Sequence, residues 1–186
     1  MKRYAPHRLK SLLLVMITLI MIFANLPSAY AFDSTKIVLS VGDKSGYNSP
    51  ELNAALLSKL RSQFRFPKYE IILTDSKVVA PDRLTLEKIT NDAGAEGTVI
   101  VEINFLRNYL QQSLLGDEMV EVTDLNLSLT YFDKKTSQYG QFKAIRSATE
   151  IVGVFSGPLP LALDALEEML NRLDKIFPRQ FPGPRY

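Results

Sequence analysis

Cysteine and tryptophan are absent from the 186 residues, and the single histidine is His7. Without thiols there is no disulfide framework, no Cys nucleophile and no thiolate ligand for zinc or haem. If the segment carrying His7 is removed, no imidazole remains either, and Ser-His-Asp catalysis and His-ligated metal sites are excluded with it. A strong excess of charge is missing too: 22 Lys and Arg face 20 Asp and Glu.

The N-terminus accounts for the small positive balance. Lys2, Arg3, Arg8 and Lys10 precede the apolar run Leu12–Ala24, followed by Pro27 and the small-residue pattern Ala29-Tyr30-Ala31. A basic end, a short apolar stretch and an A-x-A site are the marks of a secretory signal peptide, with cleavage expected between Ala31 and Phe32. The alternative is an uncleaved anchor, but the apolar run falls short of the roughly 20 residues that a spanning helix needs. No Cys follows it to carry a lipid. Removal takes four basic residues from 22 and leaves 18 against 20 acids, a net charge of −2. Nothing basic then remains to favour nucleic acid. The expected location is outside the cytoplasm, periplasmic or secreted.

Residues 32–177 are expected to form one domain, with 178–186 as a proline-rich, extended tail. Lys36–Val41 reads as a first strand. Ser49-Pro50-Glu51 is a helix start, with Ser at the N-cap, Pro at N1 and an acid in the first turn. Leu52, Leu56, Leu60 and Phe64 follow at helical spacing, and Pro67 ends the segment. Tyr69–Thr74 is a second strand. Thr85–Ala93 is a short helix closed by Gly94 as the C′ residue. Thr98–Arg107 alternates Val99, Val101, Ile103 and Phe105 against Glu102 and Asn104, which predicts one packed and one partly wet face. In Met119–Phe132 the apolar phase changes near Thr123-Asp124, as a β-bulge there would require. Asp133–Gln138 is a polar turn, Tyr139–Val152 the return strand, and Leu163 to Phe177 an amphipathic closing helix. The order β-α-β-α-β-β-β-α predicts an α+β sandwich, a mixed sheet with helices mainly on one face.

This pattern resembles the small module shared by the TolB N-terminal domain, the lipoproteins that activate peptidoglycan synthases and the globular part of the curli-secretion channel. Two motifs carry the resemblance: Gly94-Ala95-Glu96-Gly97-Thr98-Val99-Ile100-Val101 opening a strand, and Tyr131-Phe132-Asp133-Lys134-Lys135-Thr136 at a hairpin turn, where Ser137 stands in place of the usual glycine. The resemblance implies a binding module of the cell envelope. A lipid-attachment Cys and a propeller domain are both missing, so channel and TolB roles are not implied.

Candidate sites are few. Gly42 and Gly46 flank a βα turn, but no Gly-Lys-Ser/Thr completes a phosphate loop. Asp43 and Asp75 close neighbouring strands, where open α/β sheets place ligands. They would serve a carboxylate-based enzyme or small-ligand binder, or simply cap turns. Arg107–Glu118 reads as the tip between the two longest strands, with Tyr109, Leu110, Leu114 and Leu115 as candidate partner contacts. The expected function is therefore non-enzymatic binding of an envelope protein, without cofactor, metal or nucleic acid. Membrane contact would come only through the tip or an uncleaved N-terminus. The alternatives are the carboxylate site and a subunit of an envelope ring.

Overall fold

The computed structural model describes residues 34–74, 81–113, 116, 118–153 and 156–180. Ala31, Phe32, Asp75, Leu114 and Leu115 lie outside the described residues. The elements are β1 (Thr35–Asp43), α1 (Pro50–Gln63), β2 (Tyr69–Leu73), α2 (Arg83–Asp92), β3 (Gly97–Gln112), β4 (Met119–Asp133), β5 (Gln138–Ile151) and α3 (Pro158–Leu173). They form an α+β fold with the strand order β2-β1-β3-β4-β5. β1 runs parallel to β2 and β3, while β4 is antiparallel to both β3 and β5.

The local signals act as their chemistry requires. Ser49 caps α1 by accepting the Leu52 N–H at 3.2 Å, with Pro50 in the first turn. Asp82 does the same for α2, accepting from Thr85 N–H at 2.7 Å. Gly94 adopts φ +60, the left-handed conformation that ends α2 with little strain for glycine. Gly97 then enters β3 so close to the core that a Cβ there would lie 2.9 Å from the Phe177 ring. The two glycines of that motif thus have separate duties, one conformational and one steric.

Two helices close the first face of the sheet. Leu52, Leu56, Leu60 and Phe64 from α1, and Leu166, Met169, Leu170 and Leu173 from α3, pack on Ile37, Leu39, Val99, Val101, Ile103, Leu125, Leu127 and Leu129. Burial of each such side chain contributes about 1.5–3 kcal/mol before the entropy of ordering is subtracted. α2 covers one end of the second face, where Leu86 meets Ile100 and Phe132.

Three features depart from the sequence reading. The bulge sits in β3, not β4: register is lost between Ile103 and Phe105, and Asn104 is the extra residue. β4 pairs with β5 without a break, so Val120 and Val122 face the second side and Leu125, Leu127 and Leu129 the first. The apolar phase change in β4 is therefore a change in which face carries its apolar side chains, with no extra residue in the strand. Glu102 is not on a wet face. It is 3% exposed and pairs with Lys44 Nζ at 2.5 Å. Pro178–Gln180 are also tied to the body rather than free. Pro178 C=O accepts from Tyr69 Oη at 2.9 Å and Lys68 Nζ at 2.6 Å, and the Arg179 side chain reaches Gln63, Glu167 and Asn171.

Candidate interaction surface

Arg107–Gln112 belong to β3, so half of the expected tip is paired strand, and the connection to β4 covers only 113–118. Tyr109 pairs with Val122 and Leu110 with Glu121. Consecutive strand residues point to opposite sides. The two described candidate contacts, 39% and 58% exposed, therefore occupy different faces of the sheet. Hydrophobicity alone identified them, because nothing in a run such as Arg-Asn-Tyr-Leu-Gln-Gln fixes where a strand stops.

The bulge at Asn104 decides what each face carries beyond it. With one residue inserted, Phe105, Arg107 and Tyr109 turn to the second face, and Leu106, Asn108 and Leu110 to the first. The β3–β4–β5 sheet continues past the helix α2, so no described helix covers this part of the second face. Phe105 is about half exposed there, while Ile145 and Ile151 on β5 are 74% and 66% exposed. Val120 and Val122 form its buried floor.

An ordered polar group crosses this apolar field. The Arg107 guanidinium donates twice to Asp124 Oδ2, from Nη2 at 2.6 Å and Nε at 3.1 Å, and lies 5.2 Å from the centre of the Tyr109 ring. Ser147 Oγ donates to Asp124 Oδ1 at 2.7 Å from the next strand. The Ser147 and Arg107 hydrogen bonds hold the Asp124 carboxyl below its ordinary value, and Asp124 holds Arg107 above its own. The side chain that would otherwise move most freely is thus fixed in a planar, aromatic-backed arrangement.

On the first face at the same level, the segment before α3 is tied to the sheet. Glu121 Oε2 accepts from Ser156 Oγ at 2.5 Å and Oε1 from Asn108 Nδ2 at 2.8 Å; Asn108 Oδ1 accepts from Thr123 Oγ1 at 3.0 Å. These bonds lower the Glu121 pKa, the Ser156 bond most. They fasten the segment before α3 to the sheet, and this carboxylate is structural.

Asp43, the described half of the expected acidic pair, is committed to its own loop. Oδ1 accepts from Ser45 N–H and Oγ at 2.8 and 2.6 Å, and Oδ2 from Asn48 N–H at 2.9 Å. Among the described residues no three His, Cys, Asp or Glu side chains are grouped to hold a metal ion. No described helix is long and apolar enough to cross a membrane.

No family model matches the sequence, and no curated protein matches it. Among solved structures, the chain is similar to the PelC dodecamer from Paraburkholderia phytofirmans at 13% identity and a TM-score of 0.44, covering 82% of this chain and 93% of that one. It is similar to lipoprotein GNA1162 from Neisseria meningitidis at 12% identity and a TM-score of 0.43, covering 76% and 99%. A third likeness, to the hypothetical protein CT253 from Chlamydia trachomatis, has 15% identity, a TM-score of 0.46 and coverage of 76% and 96%. No function, partner or assembly is carried over from these proteins.

Proposed function

We propose that the chain is an exported module of the bacterial cell envelope that acts by binding another protein and not by catalysis. One observation carries the reading. The β3–β4–β5 sheet outruns α2, and its second face, covered there by no described helix, sets Phe105, Tyr109, Ile145 and Ile151 around the Arg107–Asp124–Ser147 group. An exposed apolar field with an ordered polar centre is the composition of a protein-binding patch, with anchors that bury well and polar groups that orient. Export is supported by the leader-like residues 1–31. The element order, which resembles the TolB-type and synthase-activator modules, supports a role in the envelope.

The test is site-specific photo-crosslinking in intact cells. A photoreactive residue replaces Tyr109, Phe105 or, as a control on the outer side of α1, Arg61. The expected result is a discrete adduct with one envelope protein from positions 109 and 105 and none from 61. Failure of both sheet positions to yield an adduct would overturn the reading, as would substrate turnover by the purified protein.

A further inference from the structure

β5 is an edge strand of 14 residues, and among the described residues no strand pairs with its outer side. Edges of this length are templates for another strand unless they are blunted. The opposite edge, β2, has only 5 residues. β5 carries no proline, and its register with β4 runs without a bulge from Gln138 to Ile151.

We infer that β5 pairs antiparallel with β5 of a second copy of this chain, about a two-fold axis at Ala148, joining the two sheets into one. The inference goes beyond the proposed function and does not depend on it.

The geometry permits few registers. An axis perpendicular to the sheet keeps each face continuous, so residues on one side must meet residues on the same side. The axis must then pass through a residue and not between two. With the axis at Ala148, the segment 144–152 (AIRSATEIV) is self-complementary. Ser147 faces Thr149, Arg146 faces Glu150, and Ile145 faces Ile151. Each of these contacts occurs twice, and the small Ala148 side chains meet at the centre. Ile145 and Ile151, among the more exposed apolar side chains of the domain, then pack side by side on the second face and leave their outer surfaces beside Phe105 and Tyr109. On the first face, Arg146 meets the exposed Glu150 of the other copy.

The charges favour this arrangement independently. Glu150 lies directly across from Glu121 in the β4–β5 register, and like charges opposite each other are destabilising. An incoming guanidinium beside Glu150 offsets that repulsion. Arg146 already pairs with Glu168 of α3, which fixes its direction, and its five N–H donors allow a second acceptor. Moving the axis to Ser147 would set Lys143 against Ile151. Moving it to Arg146 would set that arginine against its own copy.

The protein isolated after expression of the full chain is subjected to sedimentation velocity over a roughly hundredfold concentration range. A reversible dimer is expected. Glu150→Arg replaces two attractive contacts by two repulsive ones and should weaken dimerisation by about tenfold or more. Adding Arg146→Glu should restore it to within about threefold. Because Arg146→Glu also opposes Glu168, a second approach avoids both charges. The chain has no cysteine, so Ala148→Cys can be oxidised only against its own copy. It should form a disulfide-linked dimer under mild oxidation, whereas Thr136→Cys at the β4–β5 turn should not. A monomer at every concentration would overturn the inference. So would a Glu150→Arg variant that dimerises like the parent, or an Ala148→Cys variant that oxidises no faster than the Thr136→Cys variant. A monomer that still crosslinks through position 109 sinks only this inference; a dimer that crosslinks to no other protein sinks only the proposed function.

Discussion

Replacing Lys44 by Met isolates the most deeply buried carboxylate described in this fold. The Glu102 side chain is 4% exposed and its described charge partner is the Lys44 ammonium at 2.5 Å, itself 37% exposed. The backbone bond from Lys44 N–H to Ile103 C=O, 2.8 Å, does not involve the side chain and survives the change. Removing one member of a buried ion pair costs about 3–5 kcal/mol, because a desolvated charge is left without compensation. Lys44 is partly in water, which lowers the attraction that is lost, and a cost of about 2–3 kcal/mol is expected. A second substitution separates the stranded charge from any loss of packing. Lys44→Met combined with Glu102→Leu removes the uncompensated charge and should recover at least half of the loss. Urea unfolding at neutral pH, with the slope m compared between variants, measures both changes. A single variant within about 0.5 kcal/mol of the parent would refute the reasoning, as would a double variant less stable than the single one.

Other expectations follow from single residues. Ser137 occupies φ +54 in the β4–β5 turn, so Ser137→Gly should stabilise by about 0.5–1 kcal/mol, the relief of left-handed strain exceeding the added freedom of the unfolded chain; a lower melting temperature would contradict this. Burial, and then the nearby Asp174 and Asp133, push the Tyr69 phenol up to about 12 from 10.0. Its raised value means that its contribution is complete below pH 10 and is lost as pH rises towards 12, and the phenolate absorbance lost in Tyr69→Phe should titrate in that upper range. Glu121 has the opposite sign: its pKa is depressed, so the stability it gives is present above its ordinary 4.5 and is lost as pH falls below that. Glu121→Gln should therefore flatten the acid side of the stability–pH curve, and an unchanged slope would show that the Ser156 and Asn108 bonds do not matter in solution.

Much of the local architecture is legible in the residues alone. Ser49, Pro50, Pro67 and Gly94 mark helix ends because capping and φ restriction are properties of one or two residues. Leu52, Leu56 and Leu60 mark a buried helix face because the 3.6-residue period is local as well. The candidate surface is less legible. Hydrophobicity points to Tyr109, but as part of a loop tip with Leu110. Alternation puts Phe105 on the packed face, and nothing local singles out Ile145, Ile151 or the Arg107–Asp124–Ser147 group. An alternation such as Val99, Val101, Ile103, Phe105 continues smoothly through a bulge, since an inserted residue leaves no mark in a chain whose next residues suit either face.

The amino-acid sequence by itself settled the element types, their order and the mixed α+β class, because periodicity, caps and breakers act over a few residues. It also excluded thiol chemistry outright, and imidazole chemistry beyond His7, by composition. Only the tertiary structure decided which strand carries the bulge, that Glu102 is buried against Lys44, and that no described helix covers the second face beyond α2. Each of these depends on which distant segment lies over a given strand, and that is set by the lengths of α2, β3 and β5 relative to one another. A side chain's burial is a property of what covers it, and no short stretch of residues contains its own cover.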